Sequence, residues 1–161
     1  MNNHFYYYEI ENFLDIKKYL IDLILKDPYG ITHENITKTD FYSSKKGDWL
    51  SFFQQKILKN FCTDFIAKTS SKKLLIQNCW YQIYNKGDYH KRHVHSGTNF
   101  TNVFYLQLPS LESATTIDNS VLRVREGSIA TFPGFIPHES KKNIYEKSKI
   151  IISFNSSLEL E

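Results

Sequence analysis

The sequence predicts a small, mainly β fold: a compact barrel or sandwich with two N-terminal helices packed on one outer face. Two stretches with helical period, residues 12–25 and 48–68, come first along the chain. From residue 74 onward the pattern changes to six short runs that are rich in β-branched and aromatic residues. Signals such as Asn85-Lys86-Gly87 and Pro133-Gly134 separate these runs, which predicts turns between short strands.

The two helices are predicted from apolar residues that fall near one helical face. The first stripe is Phe13, Ile16, Leu20, Leu23 and Ile24, and the second is Trp49, Phe52, Phe53, Ile57, Phe61, Phe65 and Ile66. Asp48 can cap the second helix, because its carboxylate can accept hydrogen bonds from the unpaired N–H groups of the first turn. The segment between the helices, residues 27–47, holds Pro28 and Gly30 and is predicted to be irregular.

The β part of the chain is predicted to form the core of a single domain. The predicted strands are Leu74–Tyr84, Tyr89–His95, Asn102–Leu108, Val121–Arg125, Ser128–Phe132 and Lys149–Phe154. We find no internal repeat, linker or low-complexity segment in the sequence. Residues 1–161 are therefore expected to form one domain, with helical support in residues 1–70 and a β core in residues 74–155.

Composition argues against several classes of function. The net charge is only +3 and the lysines are scattered, so nucleic-acid binding is not expected. No N-terminal signal pattern is present, and no apolar run approaches the roughly 18 residues of a membrane span. Cys62 and Cys79 lack metal or CxxC spacing and are predicted to be buried free thiols in a reducing cytosol. A cytoplasmic protein is expected, in a cell or, if phage-encoded, in its host.

Three histidines give the strongest functional signal. On a β-strand, residues i and i+2 point to the same side, so His93 and His95 are expected to project together. His138 follows a predicted strand end and turn, 43 residues after His95. Three neutral imidazoles around one ion leave positions open for substrate, water or oxygen, which is typical of a catalytic metal. From these residues alone, the alternative is that His93 and His95 lie on the solvent-exposed face of an edge strand and bind no metal.

Glycine and proline around the histidines resemble the two signatures of the cupin class of jelly-roll barrels. Gly87 stands six residues before His93, and Gly127, Pro133 and His138 follow the spacing G-x5-P-x4-H. The first signature is incomplete, because asparagine and phenylalanine at positions 99 and 100 occupy the places of the cupin glutamate.

A second resemblance covers about residues 78–155. The segment from Tyr84 to His95 is similar to the Y-x-x-G-x-Y-x-x-x-H-x-D segment of the iron(II)/2-oxoglutarate oxygenases, particularly the prolyl-hydroxylase branch. Val103–Leu106 resembles the family's next strand, and Gly127–Pro133 with His138 resembles its distal strand, turn and histidine. The order and spacing resemble the short uncharacterised group of such oxygenases in marine bacteria and phages.

This resemblance implies a double-stranded β-helix that binds Fe(II) through His93, His95 and His138 and takes 2-oxoglutarate as co-substrate. Molecular oxygen would then hydroxylate a second substrate, with decarboxylation of 2-oxoglutarate to succinate. Lys149 falls eleven residues after the distal histidine, where the family carries a basic residue that binds the far carboxylate of the co-substrate. Ser153 shares a strand face with Lys149 and is expected to assist, and position 84 offers a tyrosine as a further hydrogen-bond donor.

Two positions depart from the family's pattern. His95 stands where the family has an aspartate ligand, which makes the site one unit more positive. Phe104 stands where prolyl hydroxylases often place a tyrosine that helps to hold 2-oxoglutarate.

Two other readings stay open at this point. The chain can be a three-histidine cupin dioxygenase that uses no 2-oxoglutarate, or a non-catalytic jelly-roll binding module. The substrate, whether a peptide side chain such as proline or a small molecule, is not set by the sequence, nor is the oligomeric state. Residues 27–47 and the polar loop 111–120 are expected to form the mouth of the site.

Overall fold

The computed structural model describes residues 5–159, so residues 1–4 and 160–161 of the predicted domain lie outside the described residues. The helices are α1 (Phe13–Lys26), α2 (Asp48–Phe53) and α3 (Lys59–Thr69), and a π-helical turn at Gln54–Leu58 joins α2 to α3. The strands are β1 (Tyr6–Glu9), β2 (Ile31–His33), β3 (Ile36–Thr39), β4 (Lys73–Tyr84), β5 (His90–His93), β6 (Phe100–Gln107), β7 (Thr116–Ile117), β8 (Ser120–Val121), β9 (Ser128–Pro133), β10 (His138–Ser140) and β11 (Lys149–Glu159).

The strands form two antiparallel sheets that enclose a cavity between them. The larger sheet has seven strands in the order β1-β9-β6-β11-β4-β3-β2, and the smaller has four in the order β5-β10-β7-β8. Strand β11 lies at the centre of the larger sheet and pairs along most of its length with β4 and β6. Because its first six residues are all buried, both faces of β11 are covered there.

The helices cover the outer face of the larger sheet. Ile150, Ile152 and Phe154 of β11 belong to the same apolar cluster as Leu20, Phe53 and Phe61 of the helical layer. The alternate residue Ile151 belongs to a second cluster on the inner face. Burial of each such side chain contributes about 1.5–3 kcal/mol, so the helices fix which face of β11 points inward. The predicted barrel with helices on one outer face is confirmed.

The segment between the first two helices differs from the prediction. Residues 27–47 contain the hairpin β2–β3, in which β3 extends the larger sheet by pairing Lys38 with Ile83 of β4. A four-residue strand has almost no periodic signal of its own, and it forms here because β4 offers it an unpaired edge. The predicted cap of α2 is also wrong: Gly47 is the capping residue, and Asp48 is the first helical residue.

The predicted strand Val121–Arg125 is displaced. The structure instead has the short hairpin β7–β8, which ends at Val121. Its two turn residues, Asp118 and Asn119, both have positive φ (48° and 62°), as a tight hairpin turn requires. Asp and Asn tolerate positive φ better than other non-glycine residues, which explains why the turn forms here.

The structure tests two of the predictions that were made from composition. No helix within residues 5–159 combines the length and the apolar composition needed to cross a membrane. Cys62 and Cys79 are free, as predicted, but both are only partly buried.

Candidate metal centre

The predicted site residues lie around one cavity of about 470 Å³ between the two sheets. His93, His95 and His138 line it, together with Lys149 and Ser153 of β11. A cavity of this size is within the range of roughly 300–1,000 Å³ that is typical of small-molecule sites.

The three predicted ligands come together. Their side-chain nitrogens lie within 4.8 Å of one another. The ring centroids are 4.3 Å apart for His93 and His138, 5.0 Å for His95 and His138, and 5.1 Å for His93 and His95. The pairing of β5 with β10 brings the first two together, because His138 is the register partner of His93.

His95 reaches the group by a route that differs from the prediction. Strand β5 ends at His93, so His95 is in the loop that follows rather than on the same strand face. Its backbone N–H donates to the carbonyl of Gly134 at 2.9 Å. A Cβ at position 134 would lie 2.9 Å from the carbonyl oxygen of His95, so only glycine permits this close approach.

Hydrogen bonds at Nδ1 define the tautomer of each ligand candidate. Nδ1 of His93 donates to the carbonyl of Lys91 at 2.7 Å, and Nδ1 of His138 donates to the carbonyl of Ile136 at 3.0 Å. Nδ1 of His95 lies 2.6 Å from Oδ1 of Asn155. Because a carbonyl oxygen can only accept, Nδ1 carries the proton and Nε2 is left as a free donor for a metal.

Asn155 is itself held in one orientation. Its Nδ2 donates to Oδ1 of Asn78 at 3.3 Å, which turns its own Oδ1 toward His95. Asn155 was not among the site residues predicted from the sequence. It continues the period-2 face of Lys149, Ile151 and Ser153, and extending that face by one position would have found it.

Burial keeps the imidazoles neutral, as metal ligation requires. It lowers the pKa of His138 from its ordinary value of 6.5 to about 3 and also lowers the pKa of His93 and His95. A fourth imidazole, His90, stacks on His93 with a centroid separation of 4.0 Å, and burial lowers its pKa to about 4. The donor set of three unprotonated Nε2 atoms fits a divalent transition metal such as iron, zinc or nickel.

The lining of the same cavity also contains a buried cation. Lys149 is 1% exposed, and its ammonium donates to Oγ of Ser140 at 2.9 Å and lies 5.4 Å from the centre of the Tyr84 ring. No carboxylate pairs with it among residues 5–159. Burial therefore lowers its pKa to about 7.

Ser153 and Tyr84 also face the cavity, as predicted, whereas Phe104 does not. Phe104 points to the helical layer, where its ring packs edge-on against Phe13 at 6.0 Å. The absence of a hydroxyl at position 104 therefore does not alter the cavity. Its neighbour Tyr105 is on the inner side and donates to Oγ1 of Thr115 at 2.8 Å.

The mouth of the cavity is formed mainly by the first of the two predicted segments. His33, Phe41 and Tyr42 line it from the β2–β3 hairpin and the loop that follows. From the loop 111–120, only the buried Thr115 contributes to the lining, so the predicted role of that loop is largely wrong.

Asn155→Leu should weaken metal binding about 10–100-fold, because the lost acceptor leaves the tautomer and ring orientation of His95 unfixed. Asn155→Asp is the matched control, since it keeps the acceptor oxygen at the same place and should retain affinity. Calorimetric titration with Co(II) measures both. Equal affinities for the leucine variant and the unmodified protein would contradict a supporting role for Asn155.

The metal-free protein should lose stability on mild acidification. The pKa of His138 is lowered in the folded state, so its contribution is present above pH 6.5 and is lost as pH falls toward 3. This residue alone should reduce the free energy of unfolding by about 1 kcal/mol per pH unit between pH 6.5 and 4. His138→Phe should show a shallower slope in urea unfolding at the same pH values, and equal slopes would refute the assignment.

Solved structures of known enzymes share the fold. No family model and no curated protein matches the chain. The viral collagen prolyl hydroxylase of Paramecium bursaria chlorella virus-1, in its 2OG complex, has a TM-score of 0.65 at 17% identity over 97% of both chains. A prolyl-4-hydroxylase of Pseudomonas putida has a TM-score of 0.62 at 11% identity over 96% of this chain and 93% of that one.

A third similar structure is the Trichoplax adhaerens prolyl hydroxylase in complex with a hypoxia-inducible-factor peptide. Its TM-score is 0.64 at 14% identity, over 97% of this chain and 84% of that one. At 11–17% identity, structural similarity shows a shared fold and not a shared function. The shared fold confirms the predicted jelly-roll architecture. The chain has the double-stranded β-helix fold of the 2OG-Fe(II) oxygenases.

Proposed function

We propose that this protein is an Fe(II)- and 2-oxoglutarate-dependent dioxygenase that hydroxylates a second substrate. One arrangement carries the proposal: three unprotonated Nε2 atoms converge on a cavity whose lining also contains a buried ammonium with no carboxylate partner among residues 5–159. A cation is tolerated in such a place when an anionic ligand faces it. A ligand that carries both a metal-chelating group and a carboxylate matches the three imidazoles and the ammonium together.

Within this proposal, His93, His95 and His138 hold the metal through Nε2. When bound, iron(II) and 2-oxoglutarate supply the oxygen chemistry, in which decarboxylation to succinate accompanies hydroxylation of the substrate. Three neutral ligands leave the ion's full double charge uncompensated, so the dianionic co-substrate is attracted more strongly than at a site with a carboxylate ligand. The Nδ1 hydrogen bonds keep the rings in place while the co-substrate exchanges.

Lys149 and its neighbours bind the far carboxylate of the co-substrate. The ammonium can turn from Ser140 toward the carboxylate, and the hydroxyls of Ser153 and Tyr84 can donate to the same group. Burial keeps the Tyr84 phenol protonated, because it raises its pKa far above neutrality. A nearby carboxylate also raises the pKa of Lys149 from about 7, so binding and protonation of the lysine favour each other.

The buried lysine also distinguishes this function from its alternatives. A cupin dioxygenase that works without a co-substrate carboxylate gains nothing from a cation that is costly to bury. A non-catalytic binding module has no need for three neutral imidazoles around an open cavity. Both alternatives are therefore less consistent with the cavity.

The second substrate is a small molecule or a peptide side chain that enters past His33, Phe41 and Tyr42. The prolyl hydroxylases among the similar structures make a prolyl side chain one candidate. Location in the cytoplasm and the absence of nucleic-acid partners stay predictions.

Two assays test the proposed function. Thermal shift with Mn(II), 2-oxoglutarate, or both should give a joint increase larger than either ligand alone, because each ligand binds only the folded protein. In air, the Fe(II) protein should convert 2-oxoglutarate to succinate slowly, even without a second substrate. Succinate production detected by NMR, and lost in His138→Ala, would support the proposal. Stabilisation by metal with no response to 2-oxoglutarate and no succinate would favour the three-histidine cupin.

A further inference from the structure

A continuous row of five aromatic rings runs from the rim of the cavity to one of the candidate metal ligands. The rings belong, in order, to His33, Tyr42, Phe41, Trp80 and His95. Successive centroids are 4.4, 4.9, 4.9 and 5.8 Å apart. Every ring is in contact with the next, so the row connects the metal site with the surface without a gap.

The two ends of this aromatic row differ in exposure. Trp80 is 5% exposed and packs against His95, whereas Tyr42 is 58% exposed at the rim. Indole and phenol are the side-chain groups that give up an electron most readily among the aromatic residues. An easily oxidised group therefore lies beside the metal ligand, and a second lies where solvent can reach it.

Tyr42 also has a partner for its proton. Its hydroxyl lies 3.0 Å from Nε2 of His33, which accepts when the imidazole is neutral and protonated at Nδ1. A phenol must release its proton when it is oxidised at neutral pH, so a hydrogen-bonded base makes the oxidation easier. Tyr84 also lines the cavity, but no proton acceptor for its hydroxyl is seen within residues 5–159.

We infer that this aromatic row is an electron-transfer path that carries oxidising equivalents from the metal centre to Tyr42. The inference rests on the proposed function, which supplies the oxidant. If oxygen and 2-oxoglutarate were to react at a metal held by the three histidines while the second substrate is absent, the two oxidising equivalents meant for that substrate would stay in the cavity. A path to the surface would remove them one at a time, before they damage the ligands or the fold.

The transfer balances in electrons and protons. Trp80 would give one electron to an oxidised metal held by His93, His95 and His138, and would regain one from Tyr42 across the ring of Phe41. Tyr42 loses its phenolic proton to Nε2 of His33 and becomes a neutral tyrosyl radical. An external reductant such as ascorbate then returns one electron, and the proton returns from His33. A second passage along the same path, with a second electron from the reductant, would remove the second oxidising equivalent.

Freeze-quench electron paramagnetic resonance tests the path. In one arm, the anaerobic Fe(II) protein is mixed with oxygen and 2-oxoglutarate without a second substrate. In the other arm, it is mixed with hydrogen peroxide, which oxidises the iron without 2-oxoglutarate. Tyr42→Phe, Trp80→Phe and the control Tyr89→Phe, which alters another tyrosine that lines the cavity, are compared with the unmodified protein. Co(II) titration first verifies that all four proteins bind metal equally.

The expected result is a tyrosyl signal in both arms that is lost in Tyr42→Phe, falls to background in Trp80→Phe and persists in Tyr89→Phe. A signal that survives in Tyr42→Phe, or no signal in either arm, overturns the path. Succinate formation without any tyrosyl signal would support the proposed oxygenase function and refute only the electron-transfer path. If the tyrosyl signal appears only with hydrogen peroxide and the protein makes no succinate, the electron-transfer path is supported and the proposed function is refuted.

Discussion

Lys149→Met should make the metal-free protein more stable while it removes most of its affinity for 2-oxoglutarate. The side chain is 1% exposed, and no carboxylate among residues 5–159 pairs with it. Replacing a buried charge by an apolar side chain of similar length typically stabilises by about 1–4 kcal/mol. Loss of the anchor should weaken 2-oxoglutarate binding by about 2–5 kcal/mol.

The pH dependence of the free energy of unfolding gives a second test of the buried Lys149, in the unmodified protein. The pKa of Lys149 falls from 10.5 to about 7 on folding, so between these values the unfolded chain binds more protons than the folded protein. Stability of the unmodified protein should therefore rise from pH 7 to 10, by at most about 1.4 kcal/mol per pH unit. Lys149→Met should not show this rise.

Urea unfolding at pH 6.5 and 9.5, together with calorimetric titration of 2-oxoglutarate, measures these effects. Lys141→Met is the matched control, because Lys141 is exposed and lies outside the cavity lining. It should change neither stability nor affinity appreciably. A less stable Lys149→Met protein that binds 2-oxoglutarate normally would show that the lysine has a structural role only.

Replacing a histidine of the triad should abolish stoichiometric metal binding, whereas replacing His90 should not. His138→Ala removes one of three Nε2 donors, and the loss should exceed the roughly 10–100-fold that follows from a lost outer hydrogen bond. His90 stacks on His93 but is not part of the group whose nitrogens lie within 4.8 Å. His90→Ala is therefore a control for the loss of a buried imidazole at the same cavity.

Metal analysis after anaerobic loading with Fe(II) and desalting gives the metal content of each variant. The unmodified protein and His90→Ala should retain about one iron per chain, and His138→Ala should retain none. If His138→Ala keeps its iron, the three-ligand site is wrong. If His90→Ala loses it, the metal lies on a different set of imidazoles.

Much of the site follows from local sequence, because strand alternation and spacing are local properties. The face shared by Lys149 and Ser153 and the distal position of His138 were predicted in this way. The contact between His138 and His93 was not a consequence of spacing: it needs the pairing of β10 with β5, which are far apart in the chain. Strand β10 is only three residues long and has no periodic signal of its own.

The placement of other residues could not be predicted, because it depends on which face of a strand packs against the helices and which faces the cavity. Phe104 stands where prolyl hydroxylases often place a tyrosine that helps to hold 2-oxoglutarate, but in this protein the helical layer covers that face of β6. His95 was expected on a strand face, but β5 ends two residues earlier and Gly134 holds the loop instead. Partner layers and loop contacts decide such cases, and neither is encoded in the period of a single strand.

Anaerobic titration of 2-oxoglutarate into the Fe(II) protein tests the central claim most directly, because chelation of the co-substrate by iron produces a visible charge-transfer band. In the unmodified protein we expect a band that saturates at one equivalent of 2-oxoglutarate. The band should be absent in His138→Ala and should appear only at much higher 2-oxoglutarate concentrations in Lys149→Met. If the protein holds iron through the three histidines yet shows no band at any concentration of 2-oxoglutarate, it does not use 2-oxoglutarate as a co-substrate.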